Sequence, residues 1–390
     1  RSAVFLPFRD LKIIIIDEEH DGSLKQSEKF RYHARDLSLV RSKNLNIPIL
    51  MGSATPSFES LHNCEIGKYN HIVLKKRFFN TKLPTVKVVD VNKDTMTDGF
   101  SSVLIRSIKD ELRSNKQVLL FVGRRGYSHA LLCKICGWTS KCYNCDAYMT
   151  FHKNENILWC HHCGSKKKIN VDEICSCKDE NEIVPLGTGT ERVETKCKEL
   201  FPEAKVMRID SDTINSITKL RDFIKKTQSK EIDILVGTQM LTKGHDFPEL
   251  NLVGIIDIDA GLYSLDFRGL EKIGQMIIQV AGRSGRHNSQ GKLIIQTRKP
   301  DNVLMNELLN NGYNKFSKKA MLERNQSLFP PYSYLSLFRV SSFNKNEGLS
   351  FLMKVKNNFS GTIVNLLGPA PAPILKKNNR YYYQLLVNAR

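Results

Sequence analysis

The chain has 390 residues, too long for one ordinary domain and suited to two or three. Its formal net charge is +19, and from Lys299 onward thirteen Lys and Arg stand against four Asp and Glu. The apolar fraction of 41% supports sizeable cores, whereas the longest β-branched apolar run, Ile13 to Ile16, is far too short to span a membrane. Clustered Lys and Arg release counterions from a phosphate backbone, so the charge points to a polyanionic partner; compositional drift towards Lys and Asn is the competing explanation. No signal-like segment opens the chain. It begins at Arg1 and ends at Arg390 straight after a strand-like run, and is expected to be a fragment of a longer protein.

Residues 11–16, LKIIII, read as a buried parallel strand with acids at its C-terminal end. Residues 33–43 fit an amphipathic helix, and Ile47 to Met51 a second short strand that runs into Gly52-Ser53-Ala54-Thr55-Pro56. Strand, helix and strand with polar strand ends predict an α/β sheet that holds ligands at its carboxyl edge. A second α/β unit follows. Strands are predicted at Val118 to Val122, Ile183 to Leu186, Lys205 to Ile209, Ile232 to Val236, Leu252 to Ile258 and Lys292 to Gln296. Helices are predicted after Gly187-Thr188-Gly189-Thr190-Glu191, at Ile217 to Lys226, and from Gly274 to Ala281. Pro330-Pro331 marks a linker or turn before strand-like runs at Tyr334 to Val340 and Tyr381 to Val387.

Asp17-Glu18-Glu19-His20 after the isoleucine strand is a Walker B box of the DExH form. An Asp there holds Mg²⁺ through water, and the next Glu orients and deprotonates the attacking water of ATP hydrolysis. Ser53 and Thr55 are small hydroxyls able to switch partners when a γ-phosphate leaves. In QVAGRSGR, Gln279, Arg283 and Arg286 follow i, i+4, i+7 spacing and are expected on one helix face, with the two guanidiniums as arginine fingers. The loop GTQMLTKGHDFP, with Gly244 and Asp246, offers polar groups to phosphate, ribose or a nucleic-acid backbone. A G-x-x-x-x-G-K-[ST] phosphate loop does not occur; in a motor it is expected before Arg1.

Eight of the ten cysteines fall within forty-five residues, as Cys133/Cys136, Cys142/Cys145, Cys160/Cys163 and Cys175/Cys177. Such knuckles present thiolates in pairs, so four imply two structural zinc ions; a disulfide-rich module is the alternative. Fourteen residues separate Cys145 from Cys160, which suits a hairpin-like ribbon. Cys142, Cys145, Cys160 and Cys163 are therefore expected to hold one zinc, and Cys133, Cys136, Cys175 and Cys177 the other, nested around it. His161 and His162 are competing ligands.

DEEH, SAT, TQMLTKGHDFP and QVAGRSGR, in this order, resemble superfamily 2 helicases. With RRGY, CGW, CHHCG, GTGTER and DFRGLEK added, the stretch from about Arg1 to Pro331 resembles the bacterial primosomal replication-restart helicases, the PriA family. Here the last knuckle is Cys175-Ser176-Cys177, the residue before RRGY is Gly123, and Leu24 stands where an aromatic is usual. The resemblance implies two RecA-like P-loop NTPase lobes (the first incomplete), an inserted two-zinc module and a small α+β C-terminal domain. It divides the chain at 1–80, 81–132, 133–182, 183–299 and 300–390. It implies an ATP- and Mg²⁺-dependent 3′→5′ DNA helicase, cytoplasmic and nucleoid-associated. Such a helicase recognises stalled or repaired forks and single-stranded DNA, and starts primosome assembly with primosome proteins and single-stranded DNA-binding protein. It also implies that His20, Ser53, Thr55 and Gln279 couple hydrolysis to DNA movement. Leu24 to His33 becomes a DNA-sensing loop with contacts at Phe30, Arg31 and Tyr32; plain packing is the alternative for the two aromatics. Two other readings stay open: a different superfamily 2 translocase, and a non-catalytic zinc-containing module that binds DNA or protein.

Overall fold

The computed structural model describes residues 1–26, 30–74, 84–122, 130–133, 135–136, 138–152, 156–160, 163–168, 183–186, 189–210, 213–214, 216–238, 247–262, 266–284, 290–359 and 364–389. The chain opens with β1 (Ile14–Ile16), α1 (Ala34–Leu45), β2 (Ile49–Met51) and α2 (Phe58–Glu65). β1 and β2 pair in parallel, Ile14 with Ile49 and Ile16 with Met51. Both strand ends point their following loops the same way: Gly52 N donates to Ile16 O, and Glu19 N to Gly52 O. The expected burial of this strand is not found. Ile13 is 46% and Ile15 65% exposed, because alternate residues of a two-stranded pair face opposite ways and only one face is covered among the described residues.

The next stretch holds β3 (Thr85–Asp90), a short hairpin of β4 (Met96–Thr97) and β5 (Phe100–Ser101), α3 (Ser102–Arg113) and β6 (Gln117–Phe121). The cysteine-rich part follows, with β7 (Ala130–Cys133), β8 (Thr150–His152), β9 (Ile157–Trp159) and β10 (Lys166–Lys168). The sheet then resumes through β11 (Ile183–Leu186), α4 (Thr190–Leu200), β12 (Val206–Ile209), α5 (Ile217–Gln228), β13 (Ile234–Gly237) and β14 (Leu250–Ile255). A helical turn, α6 (Asp259–Leu262), precedes α7 (Gly269–Ala281) and β15 (Lys292–Thr297).

Six strands form one sheet in the order β12-β13-β6-β14-β15-β3, every pair parallel. Runs such as Val118-Leu119-Leu120 and Ile234-Leu235-Val236 are fully buried, as a parallel sheet covered by helices on both faces requires. One face carries a core around Leu119, Leu235, Val253, Ile277 and Phe316; the other packs Leu104, Ile108, Leu120, Val193 and Val236. Polar caps start the helices: Ser57 and Ser101 side chains accept from Ser60 N and Leu104 N.

α8 (Val303–Asn311) and α9 (Tyr313–Gln326) extend this same core through Leu304, Met305, Leu308, Phe316 and Met321. They belong with the six-stranded sheet, whereas a C-terminal domain beginning at 300 would have removed them from it. α9 reaches the sheet because Gly274 of α7 leaves room: a Cβ there would meet the Phe316 ring at 2.4 Å. The C-terminal α+β unit consists of β16 (Tyr334–Ser342), α10 (Lys345–Asn358), β17 (Asn365–Lys377) and β18 (Arg380–Ala389). Its antiparallel sheet, ordered β16-β18-β17, packs Tyr383 and Leu385 against Leu352 of α10.

Candidate motor and metal sites

Four of the residues expected to act together converge on one imidazole. His20 lies past the end of β1, and its Nδ1 is 2.7 Å from Ser53 Oγ, past the end of β2. On the other side Gln279 of α7, 259 positions away, places Nε2 2.7 Å from His20 Nε2. With Gln279 donating to Nε2, the imidazole proton sits on Nδ1 and is donated to Ser53 Oγ. Ser53 Oγ also accepts from Thr55 N at 2.9 Å, and Thr55 Oγ1 lies 3.5 Å from His20 Nε2. The His20 side chain is 5% exposed, so this polar chain is held away from bulk water.

Beside it, Asp17 is exposed and its Oδ1 accepts from Glu18 N at 2.9 Å. Glu18 has a left-handed backbone, φ 48°, and its Oε2 is 3.5 Å from His20 Nδ1. The Glu18 carboxylate and the His20 imidazole are therefore neighbours. Arg283 is buried, but it lies beyond the helix that carries Gln279. α7 stops at Ala281, Gly282 caps it, and Arg283 N donates to Val280 O in the turn beyond. Glycine at 282 lowers the cost of leaving the helix there. Arg286, Gly244 and Asp246 lie outside the described residues.

The site rests on two buried carboxylates to which the sequence reading assigned no role. Glu19 is 2% exposed and accepts from Arg35 Nη1 at 2.9 Å, Ser57 N at 2.6 Å and Ser60 Oγ at 2.9 Å. It fastens the start of α2 to the strand-end loop. Glu271 of α7 is 3% exposed; its Oε1 accepts from Phe58 N at 3.0 Å and its Oε2 from Arg324 Nη2 of α9 at 2.7 Å. Burial, then the nearby Glu59, pushes the Glu271 carboxyl above its ordinary range against the pull of Arg324. Tyr313 OH donates to Pro56 O at 2.8 Å, and Gln275 Nε2 to Thr55 O at 3.4 Å, so α7 and α9 both grip the loop after β2. The Glu59–Arg268 pair, 3.0 Å apart, closes the rim; burial raises the Glu59 carboxyl, but Arg268 more than offsets this and holds it below its usual value. An acid inside the apolar run of α7, at 271 in GLEKIGQMIIQVA, was the available sign.

The loop expected to sense DNA is tied at its base, where Lys25 bridges His33 and Gln26 N donates to Tyr32 O. Phe30 projects with 88% exposure and Arg31 is exposed with φ 49°. The Tyr32 ring packs edge-on against Phe5, centroids 4.9 Å apart.

Cys142, Cys145, Cys160 and Cys163 form one cluster, their Sγ atoms all within 4.8 Å of one another, as their spacing predicted. Two knuckle turns and the β8–β9–β10 hairpin sheet bring them together: Cys142 N donates to Ala147 O and Gly164 N, at φ 80°, to Cys160 O. Four clustered thiols cannot all ionise without a counter-charge. Burial sends Cys145 up to about 12, while Cys163, though burial acts against it, is drawn down to about 6 by donors headed by Ser165. A tetrahedral dication supplies that charge, and four sulfur donors fit Zn²⁺ with no open position. Of the outer set, Cys133 is buried at the end of β7 and Cys136 exposed; Cys175, Cys177, His161 and His162 lie outside the described residues. Among the described residues, no helix is long and apolar enough to cross a membrane.

Residues 142–168 match the family described as the PriA DNA helicase Cys-rich region (CRR) domain. Residues 325–390 match the primosomal protein N C-terminal domain, and 165–288 the helicase conserved C-terminal domain. The chain is 42% identical to the replication restart protein PriA of Haemophilus influenzae, covering 99% of this chain and 53% of that protein. It is 36% identical to that of Bacillus subtilis over 99% of this chain and 49% of the relative. The chain thus spans about half the length of these curated relatives. Among solved structures, RecG bound to a three-way DNA junction aligns with 82% of this chain and 31% of its own, at 13% identity and a TM-score of 0.42.

Proposed function

Because the chain belongs to the PriA replication restart protein family, we propose that it carries the hydrolysis-coupling half of an ATP-dependent 3′→5′ DNA helicase. That helicase recognises stalled or repaired replication forks and initiates primosome assembly. The observation that carries the reading is the His20–Ser53–Thr55–Gln279 chain, which links the acidic strand end of the first lobe to α7 of the second.

In this reading Asp17 would hold Mg²⁺ and Glu18 would serve as the base toward the attacking water. Glu18 stands against His20, so a change in its charge or position is felt by the imidazole and passed to Ser53 and Gln279. Arg283 and Arg286 are assigned to the transferring phosphoryl group, and Gly244 and Asp246 to nucleotide binding. Phe30 and Arg31 meet the DNA, and the net charge of +19 draws the polyanion to the surface. Single-stranded DNA-binding protein and primosome proteins are the protein partners, and the cytoplasm the setting. The metal cluster is structural. The outer knuckles form a second zinc site, supported by the register that sets Cys133 opposite Ile183 and so returns the chain after 177 to the first knuckle.

The test is ATP hydrolysis by the full-length gene product on forked, single-stranded and duplex DNA and on RNA. Strong stimulation by forked and single-stranded DNA is expected. No DNA stimulation, or stimulation by RNA alone, overturns the reading. Glu18→Gln in the same protein is expected to bind nucleotide and hydrolyse it at least about a hundredfold more slowly; near-normal turnover removes Glu18 from the catalytic role.

A further inference from the structure

The tip of the β17–β18 hairpin rests on the metal cluster. Asn378 N donates to Cys145 Sγ at 3.2 Å across 233 positions of sequence. Asn379 N donates to Asn144 O at 3.1 Å, and Asp146 N to Lys376 O at 2.8 Å. In return Lys376 N donates to Asp146 Oδ2 at 2.8 Å. The turn is a two-residue one, Lys377 pairing with Arg380, and Asn378 and Asn379 both take left-handed backbone at φ 51° and 58°. Asparagine is among the residues that adopt this conformation at least cost.

Two consequences follow from elementary electrostatics. Four thiolates around a dication leave two net negative charges, and N–H donors to sulfur disperse them. Donors to Cys142 and Cys163 come from within the ribbon, from Asn144 N at 3.4 Å and Ser165 Oγ at 3.1 Å. The donor to Cys145 comes from the C-terminal unit, on a turn flanked by Lys376, Lys377 and Arg380. Asp146 adds a fixed negative partner for this basic tip.

We propose that the C-terminal hairpin is an outer-sphere partner of the ribbon metal, so that zinc occupancy and docking of the C-terminal unit stabilise each other. Such coupling is reciprocal: metal loss weakens hairpin docking, and drawing the hairpin away weakens metal binding by the same factor. The inference rests on reading the four-cysteine cluster as a zinc site and is independent of helicase activity.

The experiment uses the full-length, zinc-loaded protein. Amide exchange is measured before and after chelation, and zinc transfer to a colorimetric chelator is timed for wild type, Asp146→Ala and Asn378→Gly. Stripping is expected to accelerate exchange at Asn378 and Asn379 about tenfold or more while the β16–β18 core, at Leu385, is unchanged. Asp146→Ala, which loosens the hairpin that carries the Asn378 N–H, is expected to release zinc about tenfold faster, the lower end of the affinity losses seen when outer-sphere partners are removed. Asn378→Gly keeps both the N–H and the turn, and should release at the wild-type rate. Hairpin exchange indifferent to stripping, or wild-type release from Asp146→Ala, overturns the inference; should Asp146→Ala not fold, exchange in the wild type decides alone. Purified protein without zinc overturns the zinc reading and the inference together.

Discussion

At the scale of single residues, the imidazole of His20 joins Ser53 to Gln279 across the two halves of the site. It has hydrogen-bond partners on both nitrogens, and neither Ser53 nor Gln279 reaches the other except through it. Gln279→Ala removes one side of that chain and leaves the acids intact. The expected outcome, in the full-length protein, is retained basal hydrolysis with DNA stimulation reduced about tenfold, a coupling loss of ~1.4 kcal/mol. Steady-state ATPase with and without single-stranded DNA measures both quantities. Glu59 yields a pH prediction. Its carboxyl is held low by Arg268 against the effect of burial, so the pair's stabilisation is fully present above the ordinary Glu range and is lost as pH falls through the lowered folded value. Glu59→Gln should therefore flatten the acid limb of a thermal-stability profile, and an unchanged limb would remove this pair as its source.

At the scale of elements, α7 does most of the joining. One helix presents Gln279 to His20, Gln275 to Thr55 and Glu271 to the start of α2 and to Arg324. The Arg324 guanidinium is further held over the Phe58 ring at 4.5 Å and the Phe267 ring at 5.2 Å. Glu271→Gln keeps an acceptor for Phe58 N but leaves Arg324 buried beside a neutral amide. Removing one partner of a buried pair costs ~3–5 kcal/mol, and chemical denaturation should register a loss of that order. Gly274→Ala tests the close approach of α9, since the added methyl runs into Phe316. A destabilisation of ~1–3 kcal/mol is expected, and a neutral result would mean that α9 shifts freely.

At the scale of the whole molecule, metal and charge govern behaviour. Cys142→Ser is expected to lower bound zinc by one equivalent and leave the second zinc proposed on the outer knuckles in place, as read by elemental analysis; loss of both would argue for shared ligation. Binding of the full-length protein to single-stranded DNA should weaken steeply with salt, with a slope of about −0.7 per phosphate contacted. A slope near zero would detach the charge of +19 from DNA binding.

Much of this organisation was legible in the residues themselves. Buried parallel strands announce themselves because both faces must be apolar, which is why Val118-Leu119-Leu120 and Ile234-Leu235-Val236 could be placed before any coordinates. The inner metal set was legible because a tetrahedral thiolate site imposes its own spacing, two knuckles and a hairpin, within one short stretch. Local rules failed where the chain depends on distant partners. Nothing in LKIIII says whether a second layer will cover Ile15, and i, i+4, i+7 spacing cannot announce that Gly282 ends the helix before Arg283. The partners of Glu19, Glu271 and Arg324 could not be read locally, because burial is a property of the packed molecule and only packing turns an acid into a hub. The same holds for Asn378: only tertiary structure lays its N–H on a cysteine 233 positions away. By itself the sequence determined most strands of the parallel sheet and the inner thiolate set. Tertiary structure alone decided which of them meet, since hydrogen bonds between residues hundreds of positions apart exist only once loop-closure entropy has been overcome by the burial of two shared cores.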